Sequence, residues 1–105
     1  MSKPGSGLVP YQVVYSERVR ADLVRLAARA RLCGLGPQFL ASLKELDQRL
    51  RIYPQFGQPV YNLKLEPVQI WIGVVPPLVV RYALDDERRL VMVATPIKPL
   101  PNSGF

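Results

Sequence analysis

The sequence predicts an α+β domain in which two helices lie on one face of a sheet, and three observations carry that prediction. A short β-branched and aromatic run, "YQVVYS" at 11 to 16, opens the ordered part of the chain. Two stretches between residues 17 and 53 then repeat apolar residues at helical spacing. Beyond residue 60 the chain alternates, or runs apolar, in the manner of strands. The expected order is an N-terminal strand, an antiparallel helical hairpin and a meander of three antiparallel strands.

The first strand ends at Ser16, a residue suited to cap a helix. From Glu17 onward, Val19, Leu23, Leu26, Ala30 and Cys33 trace one apolar stripe, which places Cys33 in the core. Arg18, Arg25 and Arg29 stack on another side of the same helix, flanked by Arg20 and Arg31. That basic row is either a solvated polar face or a surface that contacts RNA. "CGLGP" suits a helix C-cap followed by a first-turn proline, so a second helix runs from about Pro37 to Tyr53. Its stripe is Phe39, Leu43, Leu46, Leu50 and Tyr53, and Pro54 stops it.

Phe56 anchors the turn-rich connector "YPQFGQP". Residues 60 to 66 read as a short lead-in separated by Pro67 from a strand carrying Val68, Ile70, Ile72 and Val74 on one face. Trp71, on the other face, is expected to pack rather than to stack on a nucleotide. "PP" at 76 and 77 turns the chain, and Leu78 to Leu84 and Arg89 to Thr95 form two strands around the acidic tip Asp85, Asp86, Glu87 and Arg88. The domain spans 11 to 97, between a flexible leader (1 to 10) and an extended tail (98 to 105) that leaves the sheet.

Composition narrows the function. With 105 residues and 49% hydrophobic content there is one core and one domain. Lys and Arg number 14 against 8 acidic residues, and ten of the 14 are arginine. Arginine favours planar, bidentate partners, so nucleic acid or an acidic protein is indicated; a merely basic solvated surface is the alternative. Cys33, alone and without histidine nearby, makes neither a disulfide nor a metal site, and no cofactor is expected. The N-terminus lacks the apolar core of a signal peptide and no run is long enough to span a membrane, so the expectation is a cytoplasmic protein. The chain contains no histidine, which excludes histidine-based triads and leaves Arg, Lys, Tyr or carboxylates for any chemistry.

One arginine stands out. In "LVVRYALDDERRLVMV", Leu78, Val80, Tyr82 and Leu84 share one strand face, while Val79, Arg81 and Ala83 share the other. If Leu84 pairs with Arg89, Arg81 lies opposite Met92 in a shallow concavity. Burying its charge unpaired costs several kcal/mol. It must therefore meet a carboxylate (Asp22, Glu45, Asp47 or Glu66), solvent or a ligand phosphate.

The order of these elements, with "YQVVYSERVRADLVRL", the "G-x-G-P-Q-F" helix junction, the stretch from Leu46 to Pro59 and "PLVVRYALDDERRLVMV", resembles the RelE/ParE superfamily of bacterial toxins from type II toxin–antitoxin modules, also called plasmid-stabilisation proteins. The resemblance covers residues 11 to 97. It implies a basic toxin neutralised by an acidic antitoxin that covers its functional face. Ribonuclease members cleave mRNA in the ribosome without a metal, while gyrase-poisoning members lack that chemistry. Carried over, it implies Arg81, Lys64 and Lys98 as phosphate-binding or charge-stabilising groups; Arg18, Arg25 and Arg29 are the RNA contacts that the helix row itself offers. The sequence departs from the pattern where the family's functional arginine, three residues before the strand tyrosine, is replaced by Val79. A RelE-like mRNA endoribonuclease is thus the first expectation. A toxin-fold binding protein that acts on gyrase, or engages only its antitoxin, is the second.

Overall fold

The computed structural model describes residues 9–65, 68–101, 103 and 104, with side chains for all but 61–65. β1 (Gln12–Tyr15) leads into α1 (Glu17–Leu32) and α2 (Gly36–Ile52), followed by a 3-10 turn at Pro54–Phe56. Then come β2 (Gln58–Leu65), β3 (Val68–Val75), β4 (Leu78–Asp85), β5 (Leu90–Val93) and β6 (Lys98–Pro99). The sheet order is β1-β5-β4-β3-β2, with β6 also pairing with β4, and β1 runs parallel to β5 while the other pairs are antiparallel. This is the α+β architecture expected, two helices against a sheet. The segment at 60 to 66, expected to be a lead-in, belongs for the most part to β2, an eight-residue strand paired with β3. The meander therefore has four strands, because the bulge between Pro59 and Lys64 lets β2 keep pairing where its sequence pattern breaks.

The helices form for local reasons. The Ser16 hydroxyl accepts the Val19 N–H at 3.1 Å and so caps α1. At the other end Gly34 takes φ +75°, its N–H donates to Arg31 O, and Leu35 N–H reaches back to Ala30 O at 2.7 Å. This hydrogen-bond pair closes a helix end around a left-handed residue, which glycine adopts at no steric cost. The chain reverses there, and Pro37 sits within the first turn of α2.

Val19, Leu26 and Ala30 from α1 and Phe39, Leu46 and Leu50 from α2 are buried against Tyr11, Val13, Val75, Leu78, Val80, Tyr82, Leu84, Val91 and Val93 of the sheet. Trp71 packs against this core, as expected. Phe56 also behaves as the anchor expected of it, stacking on Tyr82 with ring centroids 6.1 Å apart. Two stripe residues do not reach the core. Cys33 is exposed, because α1 ends at Leu32 and the backbone turns at Gly34 before that position faces the sheet. Tyr53 is 60% exposed, because α2 ends at Ile52 and the C-cap backbone at Tyr53 (φ −147°, ψ 71°) swings the ring outward.

At the β4–β5 hairpin the register differs from expectation. Asp85 pairs with Leu90, Leu84 with Val91 and Ala83 with Met92, so Met92 faces Ala83 and not Arg81. The cause lies in the turn. Buried Asp85 closes the strand and its carboxylate accepts the Arg88 N–H at 3.1 Å, while Arg89 takes the left-handed conformation at φ 52°. The four turn residues are thus 86 to 89, not 85 to 88. The tail also departs from expectation. Instead of leaving the sheet at residue 98, it buries Ile97 and pairs Lys98 with Val79 and Pro99 with Leu78. Leu100 N–H then donates to Pro77 O at 2.7 Å.

Candidate anion site on the open sheet face

The two faces of β4 have different fates. Leu78, Val80, Tyr82 and Leu84 point into the helices and are buried, whereas Arg81 on the opposite face is exposed. The helices do not cover its side of the sheet. Arg81 pairs across with Ile72 of β3, and on its other flank β5 has already ended. That gap is filled by the returning tail. Arg81 and Lys98 together line a concavity of about 220 Å³ with Ile72, Val79, Thr95 and Pro96.

Pairing fixes the relation of the two cations. Lys98 lies directly opposite Val79, and Arg81 is two residues further along β4 on the same face. They are diagonal neighbours, roughly 7–8 Å apart at Cα. Val79 carries no charge, and the second positive charge in that row comes from Lys98 across the strand pair. Ile97, buried at 4% exposure, holds the tail in place to do so.

Neither cation is neutralised internally among the described residues. Of the carboxylates expected as partners for Arg81, Asp22 pairs with Arg25, Glu45 with Arg49, and Asp47 with Arg51. All three belong to the helix layer on the far side of the sheet. Glu66 lies outside the described residues. Asp47 is held in place by Tyr15, whose hydroxyl donates to it at 2.6 Å. Burial pushes the Asp47 carboxyl upward, but the hydrogen bonds from Arg51 and Tyr15 outweigh it and leave the group below the usual carboxylate range.

None of the remaining candidates is among the described side chains that line this concavity. Lys64 is in β2 with its Cα opposite Gln69, and its side chain lies outside the described residues. Arg18, Arg25 and Arg29 are exposed on α1, in the helix layer and so across the sheet from Arg81, with Arg25 bound to Asp22. Thr95, Pro96 and Ile72 are not among the site residues expected from the sequence. Their only signal was position, since each lies where a strand exits or crosses the arginine's row. Among the described residues no group of three or more His, Cys, Asp or Glu side chains is placed to hold a metal. Also among them, no helix is long and apolar enough to cross a membrane.

Chemically, the concavity offers two fixed positive charges, one hydroxyl and apolar walls. It can bind a phosphate or carboxylate and stabilise negative charge that grows there.

The architecture has known counterparts. A chain of the archaeal RelE–RelB complex from Pyrococcus horikoshii superposes with a TM-score of 0.60 at 13% identity, over 88% of this chain and 97% of that one. A chain of the RelBE2 toxin–antitoxin complex from Mycobacterium tuberculosis superposes with a TM-score of 0.58 at 23% identity, over 89% of this chain and 94% of that one. No protein-family model matches the chain, and no curated protein matches it in sequence. The fold is therefore that of RelE-type toxins, along nearly the whole chain.

Proposed function

We propose that the chain is the toxin of a type II toxin–antitoxin pair and acts in the cytoplasm as a RelE-like endoribonuclease on ribosome-bound mRNA. One observation carries this reading: Arg81 and Lys98 share an open concavity on the uncovered sheet face, with no internal carboxylate partner among the described residues. There they grip an RNA phosphate and stabilise the charge that develops as the neighbouring 2′-hydroxyl attacks. Lys64 is a further candidate for the same strand, and the Arg18, Arg25 and Arg29 row is a second, sequence-independent contact to RNA backbone. The partner that silences the protein is an acidic antitoxin, which complements a chain with 14 basic and 8 acidic residues.

The test is expression without an antitoxin, followed by mapping of mRNA 5′ ends on stalled ribosomes for wild type and Arg81→Ala. New 5′ ends in the wild type that vanish in the variant support the reading. Intact message and normal growth sink it.

A second reading has its own observation. The walls of the concavity are apolar, with Ile72 and Val79 beside Arg81, and neither a carboxylate nor an imidazole lines it. That favours a toxin-fold protein that binds without cutting, on gyrase or on its antitoxin alone. A supercoiling assay separates the gyrase version, which is lost if a large molar excess leaves supercoiling unchanged.

A further inference from the structure

A second concavity adjoins the first. It has a volume of about 370 Å³ and is lined by Gln58, Val60 and Val74 among others, and Ile72 belongs to both. The pairing explains why. Gln58 lies opposite Ile72, and Ile72 lies opposite Arg81, so an amide, an isoleucine and a guanidinium form one row across β2, β3 and β4. Directly opposed residues share a face, so all three stand on the open side. With neighbouring strands about 4.8 Å apart, Gln58 and Arg81 are separated by roughly 10 Å at the backbone. Gln58 is exposed, and its side-chain amide has no hydrogen-bond partner among the described residues.

We infer that Gln58 reads a base: an RNA strand whose phosphate rests on Arg81 and Lys98 lays the adjacent nucleotide across Ile72 and Val74, with its base edge on the Gln58 amide. This deepens the phosphate-binding reading proposed above and rests on it. The amide carries two donors and one acceptor on a single planar group. Where a base presents its N7 edge, that pattern matches adenine alone, whose N7 acceptor stands beside the N6 amino donor and gives a two-point contact. Guanine presents two acceptors on the same edge, so the amide oxygen finds no donor there. A single-stranded RNA base, unstacked and turned outward, exposes this edge, and Ile72 and Val74 supply an apolar floor for its face. The ligand class is thus a single-stranded RNA step with adenine next to the held phosphate. Arg81 and Lys98 give affinity, and Gln58 gives preference.

The full chain and four labelled hexaribonucleotides, A6, G6, C6 and U6, test this by fluorescence anisotropy. Wild type is expected to bind A6 about tenfold more tightly than the other three, the scale of one two-point base contact. Gln58→Leu brings the four within about twofold of one another while U6 binding is retained, and Gln58→Glu, which keeps the length but loses the donors, abolishes the same preference. Arg81→Ala weakens all four alike. If either Gln58 variant keeps the A6 preference, or the wild type binds the hexamers without discrimination, the inference is overturned and the phosphate reading stands. If the wild type binds no RNA at all, both are overturned.

Discussion

Replacing Arg81 with alanine separates a ligand-binding role from a structural one, because the two roles predict opposite patterns. Arg81 is exposed and meets no carboxylate among the described residues, so its removal leaves no buried partner unsatisfied. Its main electrostatic neighbour is Lys98, roughly 7–8 Å away by strand geometry. Two like charges at that distance repel by about 0.5 kcal/mol in a water-like medium, less with salt. Arg81→Ala should therefore change stability by no more than about 0.5 kcal/mol, and the sign of the Lys98 contribution is stabilising. RNA binding should behave differently. Loss of a charge-assisted contact to phosphate costs about 1.5–3 kcal/mol, or about 10- to 150-fold in Kd. The salt dependence should fall as well, since each phosphate neutralised on a single strand contributes a slope near −0.7 in log K against log salt. The assay is thermal unfolding beside anisotropy titrations of a single-stranded RNA between about 50 and 200 mM salt, the range over which such contacts are resolved. A stability loss above about 1 kcal/mol would show that Arg81 is bound internally. An unchanged salt slope would show that it touches no phosphate.

Other consequences concern the scaffold. The buried Tyr82 hydroxyl donates to the Pro54 carbonyl, so Tyr82→Phe strands a buried acceptor and should cost about 2 kcal/mol, lowering Tm by about 10 °C. An unchanged Tm would mean that water reaches Pro54. At Gly73, an added Cβ would stand 2.6 Å from Phe56 Cζ, so Gly73→Ala must displace that ring and should lower stability by about 1–3 kcal/mol, read as a lower urea midpoint at constant slope. Burial raises the Tyr15 and Tyr82 hydroxyls above their ordinary value of 10.0, with Asp47 adding to the effect at Tyr15 and a weaker opposing backbone hydrogen bond from Gly57 at Tyr82. The folded state then holds both protons more tightly than the unfolded chain. Their contribution is complete below pH 10 and is lost progressively as pH rises toward the folded values. Urea midpoints should accordingly fall as the pH is raised above about 10, less steeply in Tyr15→Phe, and a flat profile would contradict the burial.

Both helices, their caps and their inward stripes were legible in the sequence, because helix formation is decided within a few residues: Ser16 caps its own first turn, and Gly34 closes the helix that precedes it. The stripes misled only at their last positions, Cys33 and Tyr53, where periodicity continues in the sequence after the backbone has stopped being helical. The alternation that sends Tyr82 inward and Arg81 outward was equally readable, since strand geometry alone imposes it. The candidate site was only half readable. Arg81 was visible as a charge in an apolar strand, but its opposition to Ile72, and not Met92, follows from a turn whose geometry depends on Asp85 and Arg89.

From sequence alone came the α+β class, the two-layer order and the face on which Arg81 stands, all set by local periodicity and by which residues tolerate water. Tertiary structure alone decided that Lys98 returns to β4 beside Arg81, that β2 is a full strand, and that Gln58, Ile72 and Arg81 form one row. The physical reason is that register and strand return join residues far apart in the chain. Hydrogen bonds between strands fix those contacts, and the sequence of a single strand does not name its partner.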